Sequence, residues 1–251
     1  MNMARARAPP AAGLSLFGGC RIEPMTDSRP SVYLPHNEPY LGREPLYVFD
    51  RLIPLRLEEH EQIAPFTHGA NLTDLQRATI EIVPQAVSVA LAIRELIRQA
   101  YLFPAFVLLR PLIERTATVA WLRVNPQAVV AWHAGWPATA RPRLPQMLTT
   151  LLEWDRIGGQ DPSKVGEFSK LLHKIVHGDP SITYWNVEHD LDGRFTHGMG
   201  KMLTSPGLCD FVTVIALHYF SLVTKLAHEI LGPNSSAVEP CQAEPRATES
   251  P

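Results

Sequence analysis

The stretch "AFVLLRPLIERTATVAWLRV", residues 105 to 124, decides the fold class, because apolar residues occupy nearly every face of the helix that it would form. A helix that is apolar all round has no face to present to water, so it belongs in the middle of a helical bundle. Pro104 precedes the stretch, and a first helical turn tolerates proline because the missing amide hydrogen has no intrahelical partner there. The sequence therefore predicts a central helix surrounded by others.

Helical patterns continue on both sides of this stretch. Thr73 and Gln76 have the spacing of a capping box, which predicts the start of a second long helix. Pro54 and Pro84 are expected to interrupt or bend the helices that contain them, because proline removes an intrahelical hydrogen bond. No run of alternating residues supports a sheet. The fold class is therefore predicted to be all-α, a bundle of about five to seven helices. The predicted helical segments besides the central one are residues 45 to 66, 71 to 99, 127 to 134, 146 to 157, 163 to 177 and 207 to 231.

Composition and proline content divide the chain into three parts. Residues 1 to 44 contain six prolines and no sustained periodicity, which predicts a disordered N-terminal arm. Residues 45 to 232 form the predicted helical domain, and the polar residues 233 to 251 a disordered tail. Within the domain, residues 181 to 204 have mixed polarity and three glycines, which is typical of an ordered loop or lid. Residues 1 to 24 are interpreted as a leader, with Met25 as an alternative start.

Charge and cysteine content narrow the function classes. The net charge of -2 provides no overall basic field that would attract nucleic acid or anionic lipid, so any RNA contact must be local. The three cysteines are widely spaced, which favours a reducing cytoplasm over a disulfide framework. We predict no membrane-spanning segment, because both long apolar runs carry charged side chains. The phosphate-binding loops of common nucleotide hydrolases are absent, and we expect no cofactor.

Arg110 and Glu114 are one helical turn apart on this most apolar helix, where an unpaired charge is costly. They can pair with each other, but one partner cannot use all the donors of a guanidinium or all the lone pairs of a carboxylate. A third polar group is therefore expected beside them, and His173 and His177 are the candidates.

The stretch "LLHKIVHGD", residues 171 to 179, places His173 and His177 four residues apart, on one side of a helix. A neutral histidine there can exchange a proton near pH 7, with Glu114 fixing its tautomer and Arg110 holding a phosphate. This constellation predicts a phosphodiester-cleaving or nucleotide-binding site. The alternative is a buried Arg–Glu–His network that sets helix register without chemistry.

The HxxxH spacing also admits a metal site with Glu114 as the third ligand. A zinc protease, however, would need a glutamate directly after the first histidine, where this chain has Lys174. A di-iron bundle would need several inward glutamates, and the predicted central helices lack them. We therefore predict no metal.

The pairing of "AFVLLRPLIERTATVAWL" with "FSKLLHKIVHGDPS" resembles a group of bacterial helical proteins of unknown function. These proteins carry an LLRxLxE helix and, some 60 residues later, a helix that ends in a histidine and a small residue. By fold they are similar to the HEPN superfamily, several of whose members are ribonucleases or components of toxin and defence systems. The resemblance covers roughly residues 70 to 230.

The resemblance implies a shared polar centre at Arg110, Glu114 and His177, and a role in bacterial stress or defence. HEPN ribonucleases usually place an arginine four to six residues before a histidine on one helix, and this chain departs from that pattern. Lys170 is three residues ahead of His173 and seven ahead of His177, so Arg110 would supply the positive charge from a neighbouring helix. RNA or a nucleotide is the expected partner. Helical proteins of this sort often form homodimers, although the sequence shows no heptad seam.

Overall fold

Seven α-helices and one minimal β-ladder make up the computed structural model, which describes residues 30–68, 71–137, 139–155, 164–182, 188–189, 195–196 and 200–233. The chain divides into two compact units, residues 1 to 31 and 32 to 251, and every element belongs to the second. The all-α prediction is confirmed. The elements are α1 (Glu44–Thr67), α2 (Asp74–Arg98), α3 (Leu102–Val124), α4 (Ala128–His133), α5 (Leu144–Asp155), α6 (Val165–Val176), β1 (Glu188–His189), β2 (Phe195–Thr196) and α7 (Pro206–Leu231).

Helix α3 is central, as its all-round apolar sequence predicts. It packs against α2, α5, α6 and α7, while α7 also packs against α1 and α2. The five consecutive residues from Thr116 to Ala120 are all buried, and five consecutive residues point in every direction around a helix. A helix enclosed in this way holds the polar pair Arg110 and Glu114 at a fixed place on the bundle.

The capping box that opens α2 is present. Thr73 Oγ1 accepts a hydrogen bond from the Gln76 N–H, and the Gln76 side chain accepts one from the Thr73 N–H. Helix α1 runs through Pro54 without a break, so of the two outcomes expected there, an interruption or a bend, the interruption is excluded. Helix α2 is likewise continuous at Pro84. Packing in the bundle outweighs the single hydrogen bond that each proline removes.

Helix α7 is the element that bears on the prediction of no membrane-spanning segment. By length and composition alone it is apolar enough to cross a membrane, because Asp210, Lys225 and Glu229 are the only charged side chains among its 26 residues. Half of its most apolar window is buried inside the bundle, and the core helix of a soluble protein passes the same test. Phe220, Val223 and Leu226 illustrate that burial, since each has almost no exposed surface.

Residues 32 to 43, which the proline count assigned to the disordered arm, pack on the helices. Tyr33 and Tyr40 are buried. The Tyr33 N–H donates to Gln99 Oε1 at 2.9 Å, and Gln99 Nε2 donates back to the Tyr33 carbonyl at 2.7 Å. The Tyr40 hydroxyl donates to the Met202 carbonyl. Buried tyrosine rings contribute apolar contact area, and their polar groups find partners, so this segment is ordered despite its prolines. Residues 1 to 29 and the tail from residue 234 lie outside the described residues.

The segment before α1 also carries an ion-pair network. Arg94 of α2 donates to both carboxylate oxygens of Glu38, at 2.8 and 2.7 Å, and also to both oxygens of Asp50. Burial lowers the pKa of Arg94, but the hydrogen bonds and charges of Asp50 and Glu38 outweigh this effect and raise it above its ordinary value. Nearby, Arg43 donates to both oxygens of Asp210 and so ties the segment to α7.

Candidate functional site

Arg110 and Glu114 form the predicted pair on α3. Arg110 Nε donates to Glu114 Oε1 at 2.8 Å. The two side chains are 24% and 28% exposed, so the pair lies at the edge of the core rather than buried within it. The other end of the guanidinium is less well satisfied, because Arg110 Nη1 is buried and has no hydrogen-bond partner among the described residues.

His173 and His177 lie at the C-terminal end of α6, where His177 is the C-cap residue. Their ring centroids are 4.1 Å apart, and the ring planes are tilted by 44°. Both side chains are exposed, which excludes the interpretation of two core histidines. The expectation that an imidazole would complete the Arg110–Glu114 pair is also wrong, since no hydrogen bond joins the described side chains in that way. At the end of α6 the histidines face solvent instead.

Two open pockets bring these residues together. The first, of about 420 Å³, is lined by Arg110, Glu114 and His177, with Arg141 from the loop before α5. The second, of about 490 Å³, is lined by Arg110 again and by His173 and two lysines of α6, Lys170 and Lys174. Arg110 thus lies between two pockets, and each pocket contains one of the predicted histidines.

Positive charge dominates this pair of pockets. The acidic groups on their walls are Glu114 and Asp179, and both are already engaged. Glu114 accepts from Arg110, while Asp179 accepts from the side chain and the backbone N–H of Ser181, which together lower the pKa of its carboxyl. The cationic side chains Arg110, Arg141, Lys170 and Lys174 therefore outnumber the acids, and the pockets suit an anion.

The arrangement does not suit a metal. No group of three histidine, cysteine or carboxylate side chains able to hold a metal ion is found among the described residues. Glu114, the third ligand expected in the metal alternative, is bound to Arg110 instead. Cys209 is also a poor metal ligand, because a metal binds the thiolate and burial raises the pKa of this thiol to about 11. The thiol contacts the Thr213 hydroxyl.

Two cationic contributors to the pockets were missed by sequence reasoning. Arg141 lies in the proline-rich stretch "PATARPRLP", which the sequence marks only as a loop, and Lys174 was considered only as the residue that disqualifies a zinc protease. A signal was present for Lys174. Lys170 and Lys174 have the same four-residue spacing as the histidines, and Lys170 is three residues before His173, which places both lysines on the same side of α6 as the histidines.

The geometry of this site is the available guide to function. Comparison of the chain with protein-family models, with curated proteins and with solved structures finds no match.

Proposed function

We propose that the chain is a HEPN-like helical protein that binds the phosphate of RNA or a nucleotide at Arg110 and cleaves the phosphodiester bond. One observation carries the proposal: Arg110, whose Nη1 has no partner among the described residues, lines two cationic pockets, each of which contains one histidine of the HxxxH pair. A guanidinium with a free donor edge suits a phosphate oxygen better than it suits the protein interior.

In this proposal Glu114 has a different task from the one that the sequence suggested. It holds Arg110 Nε and thereby orients the guanidinium, leaving the opposite edge for phosphate. His177 and His173 are the proton-transfer groups. One imidazole accepts the proton of the attacking ribose hydroxyl, and the other, protonated, donates a proton to the oxygen that leaves as the P–O bond breaks. No metal is required for this reaction.

The biological setting belongs to the same proposal. The family resemblance supports a bacterial protein of stress or phage defence, and the cysteine usage supports the cytoplasm. The open cationic pockets support a local RNA or nucleotide contact despite the net negative charge of the chain. A homodimer is consistent with such a protein.

A non-catalytic interaction module is the second candidate. The observation in its favour is that neither imidazole is oriented by a hydrogen bond to Glu114 or Arg110, as a preorganised catalytic histidine would be. Against a purely structural Arg–Glu–His network are the exposure of both histidines and the open pockets beside Arg110. The two candidates differ in whether bound RNA is cleaved.

Cleavage of a fluorescent single-stranded RNA in the presence of EDTA tests the proposal. We expect Arg110→Ala and His177→Ala each to slow cleavage by at least ~100-fold, because each removes a group that acts on the transition state. The melting temperature should stay nearly unchanged, since His177 is exposed and Arg110 has one ion-pair partner.

Arg115→Ala is the matched control. Arg115 lies on the same helix, donates to Gln85 and the Pro111 carbonyl, and lines neither pocket. Its replacement should leave cleavage intact. If the wild-type chain binds RNA without cleaving it, the interaction module is favoured; undiminished cleavage by Arg110→Ala would refute the assigned site.

A further inference from the structure

A third pocket continues the cationic pair of pockets towards α4. It has a volume of about 300 Å³ and is lined by Trp132, Gly135, Trp136 and Arg141. Arg141 also lines the first pocket, beside Arg110 and His177. The two cavities therefore share one wall, an exposed arginine in the loop that leads to α5.

The backbone at the end of α4 places the two indoles in this pocket. Gly135 N–H donates to the Trp132 carbonyl at 3.0 Å, and Trp136 N–H donates to the Ala131 carbonyl at 2.8 Å. These two bonds form a Schellman motif, in which Gly135 takes the left-handed conformation at φ 84°. Trp136 also has a positive φ, of 50°, which is uncommon for a bulky residue and which the motif does not require.

Trp136 carries a second unusual feature. Its indole Nε1 is buried and has no hydrogen-bond acceptor among the described residues. Buried polar groups nearly always find a partner, so an unsatisfied one calls for an explanation, such as a functional role or a bound species. The positive φ of Trp136 and its unused indole N–H support the same interpretation, because both features are expected in a preorganised ligand-binding site.

We infer that the pocket of Trp132, Trp136 and Arg141 is a base-binding subsite for a nucleotide or a nucleotide unit of RNA. The inference rests on the proposed function, since it takes the phosphate to bind at Arg110. The base would lie against an indole face, with Trp136 Nε1 donating to a ring nitrogen or carbonyl oxygen, and with Arg141 between base and phosphate. Aromatic side chains of this kind bind bases by stacking.

Binding of small phosphates to the full chain tests the inference. Isothermal titration compares inorganic phosphate, ribose 5-phosphate and the four ribonucleoside monophosphates. We expect at least one monophosphate to bind at least ~5-fold more tightly than ribose 5-phosphate, which carries the same phosphate and sugar without a base. Arg110→Ala should lower the affinity for all of these ligands, because they share the phosphate.

Two variants locate the base. Trp136→Phe keeps an aromatic ring but removes the N–H, and Arg141→Ala removes an exposed side chain from the pocket wall. Each variant should reduce the ratio by which the monophosphate binds more tightly than ribose 5-phosphate. For Trp136→Phe, the affinity for ribose 5-phosphate itself should stay unchanged. Trp154→Phe is the matched control, because Trp154 contacts Arg123 and Lys225 and lines none of the three pockets.

The outcomes separate this inference from the proposed function. If ribose 5-phosphate binds and depends on Arg110, but no monophosphate binds more tightly, the base subsite is refuted while the phosphate site stands. A preference for a base that survives both Trp136→Phe and Arg141→Ala also refutes the subsite. If no phosphate compound binds and RNA is neither bound nor cleaved, the proposed function fails and the subsite fails with it.

Discussion

Arg94 and Arg110 lie on neighbouring packed helices, and their guanidinium groups differ in the number of acceptors around them. Arg94 on α2 donates to both oxygens of Glu38 and both oxygens of Asp50. Arg110 on α3 has one partner, Glu114, and its buried Nη1 has none among the described residues. The difference lies in the acceptors that surround each guanidinium group.

This difference distinguishes a structural arginine from a candidate ligand-binding one. The side chain of Glu38 is 1% exposed, so its charge depends on Arg94 for compensation. Glu114 is 28% exposed and retains contact with water. A guanidinium with all its edges occupied cannot bind a ligand without losing a protein partner, whereas one with an unused nitrogen beside open pockets can.

Arg94→Ala is expected to give the largest effect. It leaves Glu38 buried and unpaired, so the free energy of unfolding should fall by roughly 3–5 kcal/mol. Arg110→Ala should lower it by less than ~1 kcal/mol, as for a partly exposed pair within one helix. Urea denaturation of both variants measures the two values. Equal losses in the free energy of unfolding would contradict the distinction between a structural Arg94 and a ligand-binding Arg110.

A double-mutant cycle sharpens the comparison at the level of single pairs. We expect the Arg94–Glu38 coupling energy, from alanine substitutions, to be about 2 kcal/mol or more, because both groups are largely buried. The Arg110–Glu114 coupling should be about 0.3–0.5 kcal/mol, the usual range for i,i+4 pairs on a helix. Added salt should weaken the Arg110–Glu114 coupling and leave the Arg94–Glu38 coupling nearly unchanged. A strong Arg110–Glu114 coupling would instead support a structural role for that pair.

Tyr40→Phe tests whether residues 32 to 43 hold Glu38 in place beside Arg94. The Tyr40 hydroxyl donates to the Met202 carbonyl and accepts from the Ser205 N–H at 3.3 Å. Its removal should lower the free energy of unfolding by about 1 kcal/mol, the typical net contribution of such hydrogen bonds. Tyr47→Phe, at an exposed tyrosine of α1, is the control and should have little effect. An unchanged stability for Tyr40→Phe would show that the segment contributes little to the fold.

The smallest effect expected is on the pH dependence of stability. The raised pKa of Arg94 keeps it charged far above neutral pH, so its contribution does not change near neutrality. Burial lowers the pKa of His60 and of His218, and for His218 the charge of Asp155 opposes this shift. Between each lowered pKa and 6.5 the unfolded chain binds more protons than the folded chain, so stability falls as pH drops below 6.5.

Thermal melts at about pH 7.5 and about pH 5.5 measure this dependence. We expect a modest fall in Tm at the lower pH and a smaller one in a variant that carries both His60→Gln and His218→Gln. His173→Gln, at an exposed histidine, is the matched control and should leave the dependence unchanged. A wild-type Tm that stays constant or rises at the lower pH would contradict the expected destabilisation by protonation of His60 and His218.

Much of the architecture could be predicted because it depends on local sequence patterns. The all-round apolar sequence of α3 indicated a central position, and the Thr73–Gln76 spacing indicated where α2 begins; both predictions are confirmed. Each signal depends on residues within one or two helical turns of one another. The sequence also singled out Arg110 and Glu114 as a pair, because four residues are one turn of helix.

Contacts between distant segments could not be predicted in this way. Glu38 lies 56 residues from Arg94, in a stretch whose prolines suggested disorder, and no periodicity links the two. The exposure of His173 and His177 likewise depends on how α6 sits on α3 and α5, which the pattern of α6 alone does not specify. Hence the histidines were expected to complete a buried pair, whereas no hydrogen bond joins them to it among the described residues.

By itself, the sequence determined the helices, the central place of α3 and the identity of the polar residues on it. Only the tertiary structure decided which polar groups are satisfied: Arg94 fully, by Glu38 and Asp50, and Arg110 partly, by Glu114. The physical reason is that helix formation depends on hydrogen bonds and side-chain spacing within a few residues. The satisfaction of a charge depends on acceptors that packing brings from elsewhere in the chain.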